Sequence, residues 1–274
     1  MGRWLGLIGA TGVAVVLASC SPQKLVAVDA QVRAIHRYSF DGAGTGVFDS
    51  IGTADGKVVG TQLAGQGLML AGGTGDQAQY VVLPARRLGE LHDATFEAWV
   101  NWAGPVINGT PAPWQRIFDF GEGSTGVAGE QAAAGVPARS YLFLTPQTDP
   151  RTSSEVPSTR VAFQVPHDPQ AVGLETVVNA RPLPIGVPTH VAVVVDAFHS
   201  RMSLFMDGAI VGATDLAQED PLSYVYDVND WLGRSQFPQD VGFSGTFIEF
   251  RIYAAALTPV QMQVSYEAGP NAVW

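Results

Sequence analysis

The chain has 274 residues, 46% of them hydrophobic, enough for one large core or for two small ones if a linker divided it. With 31 glycines and 18 prolines against only 15% charged residues, the composition suits many short strands separated by turns, so an all-β fold is expected rather than a helical one. The net charge of -10 is spread without an acidic run and lysine occurs only at Lys24 and Lys57, which excludes the electrostatic footprint of a nucleic-acid-binding protein, while a single cysteine excludes an internal disulfide.

The first residues bear on compartment. Met1 to Arg3 is a short basic start, Trp4 to Leu17 is an apolar run too short to span a bilayer as a helix, and Leu17-Ala18-Ser19-Cys20 closes it with small residues. This ending resembles a lipobox, where signal peptidase II cuts before a cysteine carrying a diacylglyceryl thioether. The alternative is an ordinary signal peptide with a chance cysteine, but the sole cysteine stands at the one position a lipobox requires. The resemblance implies a signal peptide over 1–19, lipidation of Cys20 and a tether over 20–35. Two or more acyl chains, at about 0.8 kcal/mol per buried CH₂, would anchor the protein in a bacterial envelope. Ser21 after the cysteine implies the outer membrane in a Gram-negative cell.

From His36 onward the pattern becomes regular. Arg37-Tyr38-Ser39-Phe40 reads as a strand closed by Asp41-Gly42, and Gly67 to Leu70 and Gln79 to Leu83 as two more. Alternation in Thr95 to Val100 puts Phe96, Ala98 and Val100 on a dry face and Glu97, Trp99 and then Asn101 on a mixed one. The valine-rich Thr189 to Asp196 is a strand. Ser203 to Met206 and Ala209 to Val211 flank Asp207-Gly208, which suits a type I′ hairpin turn because both central residues need positive φ. Asn229 to Gly233 and Gly245 to Tyr253 supply late strands. In Leu257 to Met262, Thr258 as N-cap and Pro259 at the first position predict a capped helical turn. The stretches 104–114, 121–140, 145–159 and 166–175 read as long connections, functional or disordered.

These elements, in this order, resemble the LamG-like jelly rolls of the concanavalin A-like superfamily. His36 to Gly42, Asp49-Ser50-Ile51-Gly52 and Thr95 to Val100 match the opening strands. Pro188 to Asp196 is similar to the family's Trp-Thr-His-Val-Ala-Val strand, with proline in place of tryptophan. Leu204-Phe205-Met206-Asp207-Gly208 resembles its hairpin, and Trp231 to Ser235 with Gly245 to Leu257 resembles its ending. The resemblance covers nearly everything from 36 to 274. It implies a two-sheet antiparallel jelly-roll sandwich of about six or seven strands per sheet.

Little in the chain suggests catalysis. A glycoside hydrolase needs two carboxylates across the scissile bond, and the Glu-x-Asp-x-x-Glu strand of laminarinase-like relatives is absent. Asp119 and Glu122 are three apart and face opposite sides of a strand, and Glu97 has no alternating acidic partner. His190, beside a valine run, reads as a hydrogen-bonded structural histidine, and Arg251 as the partner of a neighbouring strand. His167-Asp168 is far short of a metal set. The resemblance implies structural calcium near the junction of the first and last strands in many relatives. Aligned on Gly245 and Arg251-Ile252-Tyr253, however, Ile248 falls at the ligand position, with Glu249 beside it on the opposite face. Asp41 and Asp49 have turn-forming duties, so the usual site is expected vacant, and no cofactor is expected.

Three functions remain. The first is a lipid-anchored, non-catalytic envelope module that binds a glycan or a surface partner, using the mixed face (Glu97, Trp99, Asn101) or loop aromatics (Trp114, Tyr224, Tyr226). The second is a structural envelope protein that binds neighbours in the same membrane. The third is a glycoside hydrolase whose carboxylates assemble across strands. The glycan expectation rests on the fold-level resemblance.

Overall fold

In the computed structural model, the described residues are 32–149, 151, 156–165 and 175–272. Cys20, the expected signal peptide, most of the expected tether and His167-Asp168 lie outside them.

Ala94–Trp102 organises the first sheet. Its alternation sends Phe96, Ala98 and Val100 into the core, and it is hydrogen-bonded along both edges, to Pro188–Asp196 and to Ser244–Tyr253. The sheet runs His36–Tyr38, Ser244–Tyr253, Ala94–Trp102, Pro188–Asp196, Arg201–Met206, Ala209–Asp215, with Leu68–Ala71 also paired to Ser244–Tyr253. The second sheet runs Thr176–Ala180, Thr159–Gln164, Ser140–Thr145, Phe118–Glu122, Asn229–Leu232, Tyr80–Leu83, Gly56–Val59, Gly46–Val47. Every pairing in both is antiparallel. Seven and eight strands therefore face each other across one continuous apolar layer that includes Tyr38, Phe96, Phe118, Phe120, Leu142, Phe163, Leu204 and Phe250. This is the expected all-β sandwich.

Local chemistry accounts for the punctuation. Asp207 and Gly208 adopt φ of 49° and 76°, as the type I′ hairpin between Arg201–Met206 and Ala209–Asp215 requires. The helical turn extends to a ten-residue helix, Pro259–Ala268. Thr258 closes a capping box with Gln261, and Gly269 ends the helix at φ 78°.

Four strands of the second sheet, Phe118–Glu122, Ser140–Thr145, Thr159–Gln164 and Thr176–Ala180, lie in or beside the gaps between the expected connections, where the sequence reading assigned no element. The reason is burial. All six residues of Ser140–Thr145 and of Thr159–Gln164 are buried, so neither strand has a solvent face and even its polar residues, such as Arg160 and Gln164, are covered. At the other end of the chain, the compact unit starts at Val32. Val32 and Ala34 pack beside Tyr253 and Met262, and the Ile35 N–H donates to the Ile252 carbonyl at 2.8 Å.

Candidate functional site

The outer face of the first sheet was one expected binding surface, and the structure corrects that expectation. Glu97 and Trp99 are buried, and Asn101 is half-buried at the strand end. The C-terminal helix and the segment after it close over the face. Glu97 accepts from His190 Nε2 at 2.9 Å and from the Tyr253 hydroxyl at 2.9 Å, and lies 3.5 Å from Arg251 Nη1. His190 Nδ1 accepts from the Gly208 N–H, which places the ring proton on Nε2, toward Glu97. The Arg251 guanidinium stacks 4.4 Å from the Trp99 ring and donates to Ser265 and to the Gly269 carbonyl. Burial alone would raise the Glu97 carboxyl, but the His190 hydrogen bond and the Arg251 charge outweigh it and hold Glu97 below its ordinary range. The mixed face is thus an internal polar layer that docks the helix.

The neighbouring carboxylates are likewise filled from within the chain. A β-bulge between Phe247 and Glu249 leaves Ile248 out of register and turns Glu249 outward from the core, with Arg251 and Tyr253. There Glu249 takes both arms of Arg37 at 3.0 and 2.8 Å, Arg251 Nε and the Asn271 N–H. Asp49 accepts from the N–H groups of Arg37, Ile51, Gly52 and Ala54 and from His36. Both carboxylates are ringed by donors, the surroundings of an anion rather than of a cation's ligand.

The outer face of the second sheet differs. Strand alternation puts Tyr141 and Phe143 opposite the core residues Leu142 and Leu144, and Asp119 opposite Phe118 and Phe120. Trp114 enters with φ 59°, and Phe237 comes from the loop after Asn229–Leu232. Together with Arg116, Glu175, Gln239 and Asp240 these aromatics line a cavity of about 270 Å³. Tyr141 stacks on Phe143 at 5.2 Å and meets Phe237 edge-on at 5.7 Å. The Arg116 guanidinium lies 3.9 Å from the Phe143 ring centre, within 6.0 Å of Phe237 and 5.8 Å of Trp114. Two of its lining rings, Trp114 and Phe237, are half-buried. The Tyr141 hydroxyl donates to Glu175 at 2.8 Å on the rim.

Arg116 is held by two acids, Nε to Asp119 at 3.1 Å and Nη2 to Asp240 at 2.9 Å. Burial raises both carboxyls against the pull of Arg116, Asp119 to about 7. The folded protein therefore keeps a proton that an unfolded aspartate, at 3.8, would release. Its contribution to stability is whole below about pH 4 and is lost as pH rises through about 7. Asp49 works in the opposite sense. Burial is outweighed there by its ring of donors, which lower it to about 2, so its contribution is lost as pH falls below about 4 toward 2. Thermal stability is expected to peak at mildly acid pH, and Asp119→Asn to flatten the alkaline side of that curve. A wild-type melting temperature that climbs steadily from about pH 5 to about pH 8 would contradict this account.

Tyr224 and Tyr226 are exposed, at 47% and 54%, and lie apart from Trp114. Tyr226 edges a separate cleft of about 410 Å³ lined also by Arg86, Glu122, Arg139 and Asp227. Of the six expected ligand residues, only Trp114 belongs to the aromatic cavity. Arg116, Tyr141, Phe143, Glu175, Phe237 and Asp240 were missed. The alternation in Ser140-Tyr141-Leu142-Phe143-Leu144 was the available signal, since it sets two aromatics on one face of a strand.

A sequence model of the concanavalin A-like lectin/glucanases superfamily matches residues 74–263. No curated protein matches the chain in sequence. Among solved structures, domain 4 of AbnA, an extracellular GH43 arabinanase of Geobacillus stearothermophilus in complex with arabinotriose, is similar with a TM-score of 0.53 at 19% identity, covering 85% of this chain and 98% of that one. The binding domain of botulinum neurotoxin DC, in complex with rat synaptotagmin II, gives 0.56 at 13% identity, covering 86% of this chain and 52% of that one. A Trypanosoma rangeli sialidase gives 0.54 at 12% identity, covering 86% of this chain and 33% of that one. At these identities the likeness is one of fold.

Proposed function

The chain belongs to the concanavalin A-like lectin/glucanases superfamily, and from that premise we propose that its β-sandwich is a non-catalytic module that binds glycan in the cavity between Trp114 and Phe237. The observation that carries this reading is the cavity's composition: aromatic walls, with Glu175, Gln239 and Asp240 lining it beside them. The apolar C–H face of a sugar packs on an aromatic ring while its hydroxyls find the few convergent polar groups. Arabinotriose in the similar arabinanase domain is in keeping with such a ligand. Hydrolysis is the weaker reading because the acids are committed elsewhere. Asp119 is fully buried, and both Asp119 and Asp240 hold Arg116 rather than standing free across a bond.

The test is a glycan array probed with the purified full chain, followed by titration of the best hits. Trp114→Ala and Phe237→Ala should each weaken binding at least about tenfold, a loss of about 1.4 kcal/mol. Absence of any saccharide binding, or binding indifferent to both changes, would refute the assignment, and release of reducing sugar would favour the hydrolase.

The second half of the proposal is anchoring of the module in a bacterial envelope through lipidated Cys20, in the outer membrane if the cell is Gram-negative. It is supported by the sole cysteine standing directly after Leu17-Ala18-Ser19. Cys20→Ala is expected to move the protein from the detergent phase to the aqueous phase in a phase-partition assay, and unchanged partitioning would count against lipidation.

A further inference from the structure

We infer that the Trp114–Phe237 cavity selects a neutral sugar unit and rejects one carrying a carboxylate. This rests on the glycan reading above and adds its ligand class.

The polar groups of the cavity differ in how much hydrogen-bonding capacity they still have. An acidic sugar needs a cation or a set of free donors, and Arg116 is the cation that lines the cavity. It is already spent: Nε donates to Asp119, Nη2 pairs with Asp240, and Nη1 binds the Trp114 carbonyl at 2.5 Å. Its side chain is also only 2% exposed. Arg160, whose guanidinium lies 5.6 Å from the Trp114 ring centre, donates to Asn179 at 2.8 Å and lies 4.0 Å from Glu175.

The acceptors are in the reverse condition. Asp240 takes Arg116 and the Ser235 hydroxyl on Oδ2, and no hydrogen bond is seen to its Oδ1 among the described residues. Glu175 uses Oε1 for Tyr141 and holds Oε2 4.0 Å from Arg160, with its side chain still partly exposed on the rim beside the exposed Gln239. The cavity therefore presents Asp240 Oδ1 and the exposed side of the Glu175 carboxylate, both able to accept from a further donor. Sugar hydroxyls supply donors. A uronic or other acidic unit would supply one more carboxylate, facing Glu175 and Asp240, and among the described residues the two guanidiniums nearby, Arg116 and Arg160, already hold acids, on a chain at -10. The cavity, about 270 Å³, is of a size to take a small ligand such as a terminal sugar unit.

The experiment uses matched pairs of oligosaccharides that differ only at the terminal unit: glucose against glucuronic acid, and galactose against galacturonic acid. Binding to the full chain is measured by calorimetry at two ionic strengths. The neutral member of whichever pair binds should do so at least about tenfold more tightly, and added salt should narrow the gap by screening the repulsion. Glu175→Gln and Asp240→Asn should each narrow it, raising the affinity of the acidic member relative to the neutral one. Equal or tighter binding of an acidic member overturns the selectivity while leaving the glycan reading intact. A gap unmoved by both substitutions overturns the role given to these two carboxylates. If no neutral or acidic sugar binds in any pair, the glycan reading fails, and this inference with it.

Discussion

Replacing Glu97 with alanine is expected to cost about 3 to 5 kcal/mol of folding stability, the loss seen when one partner of a buried ionic network is removed. Glu97 is the acceptor on which three donors converge: His190 Nε2, the Tyr253 hydroxyl and Arg251 Nη1. All three partners are buried. Without the carboxylate, the His190 and Tyr253 groups lose their acceptor out of reach of water, and among the described residues Arg251 keeps only Glu249 as an ionic partner. Arg251 also reaches Ser265 within the helix and the Gly269 carbonyl at its end, so the damage should spread to helix docking. Urea denaturation should show the midpoint falling. Hydrogen exchange should show amides of the last helix turn losing protection first. Glu97→Gln, which keeps an acceptor and the volume, should cost much less. A loss below about 1 kcal/mol for Glu97→Ala would mean the layer is not the clasp described here.

Gly208→Val should be nearly as damaging, about 3 kcal/mol, for two reasons that add. The first is visible in the sequence: a β-branched residue at φ 76° is strained, worth about 1 to 3 kcal/mol. The second comes from the packing. A Cβ at this position would lie 2.6 Å from Gln263 Oε1 and 3.0 Å from both Tyr266 Cβ and Cδ1. Gln263 can swing away, but Tyr266 is fixed against the His190 ring at 5.6 Å, so the helix must shift. Gly208→Ala, with less strain and the same first contact, should fall between wild type and valine. Thermal melts of the three proteins give the ranking, and a valine variant melting with the wild type would show that neither the turn nor the helix contact is as drawn.

The two predictions show how differently sequence and structure contribute. The hairpin at Asp207-Gly208, the cap at Thr258-Pro259 and the alternation in Thr95 to Val100 are local signals, set by which φ a residue tolerates and which side chains share a face. Each was readable without a partner strand. The fully buried strands Ser140–Thr145 and Thr159–Gln164 were not, because both their faces are covered and the buried polar residues on them give no contrast with a solvent face. The same limit governs the site. Alternation correctly grouped Glu97, Trp99 and Asn101 on one face but could not say that the last helix covers it, since that contact joins residues such as Glu97 and Ser265 from opposite ends of the domain through Arg251.

What the sequence by itself determined is the all-β class, the hairpin and the helix cap, because turn chemistry and side-chain period are properties of neighbouring residues. What only the tertiary structure decided is which face is open. Trp114, Tyr141 and Phe237 meet because the second sheet folds one outer face under two loops, and Glu97 and Trp99 are closed because a capped helix returns across the first. Accessibility depends on every element packed above a residue, and no local pattern encodes that sum.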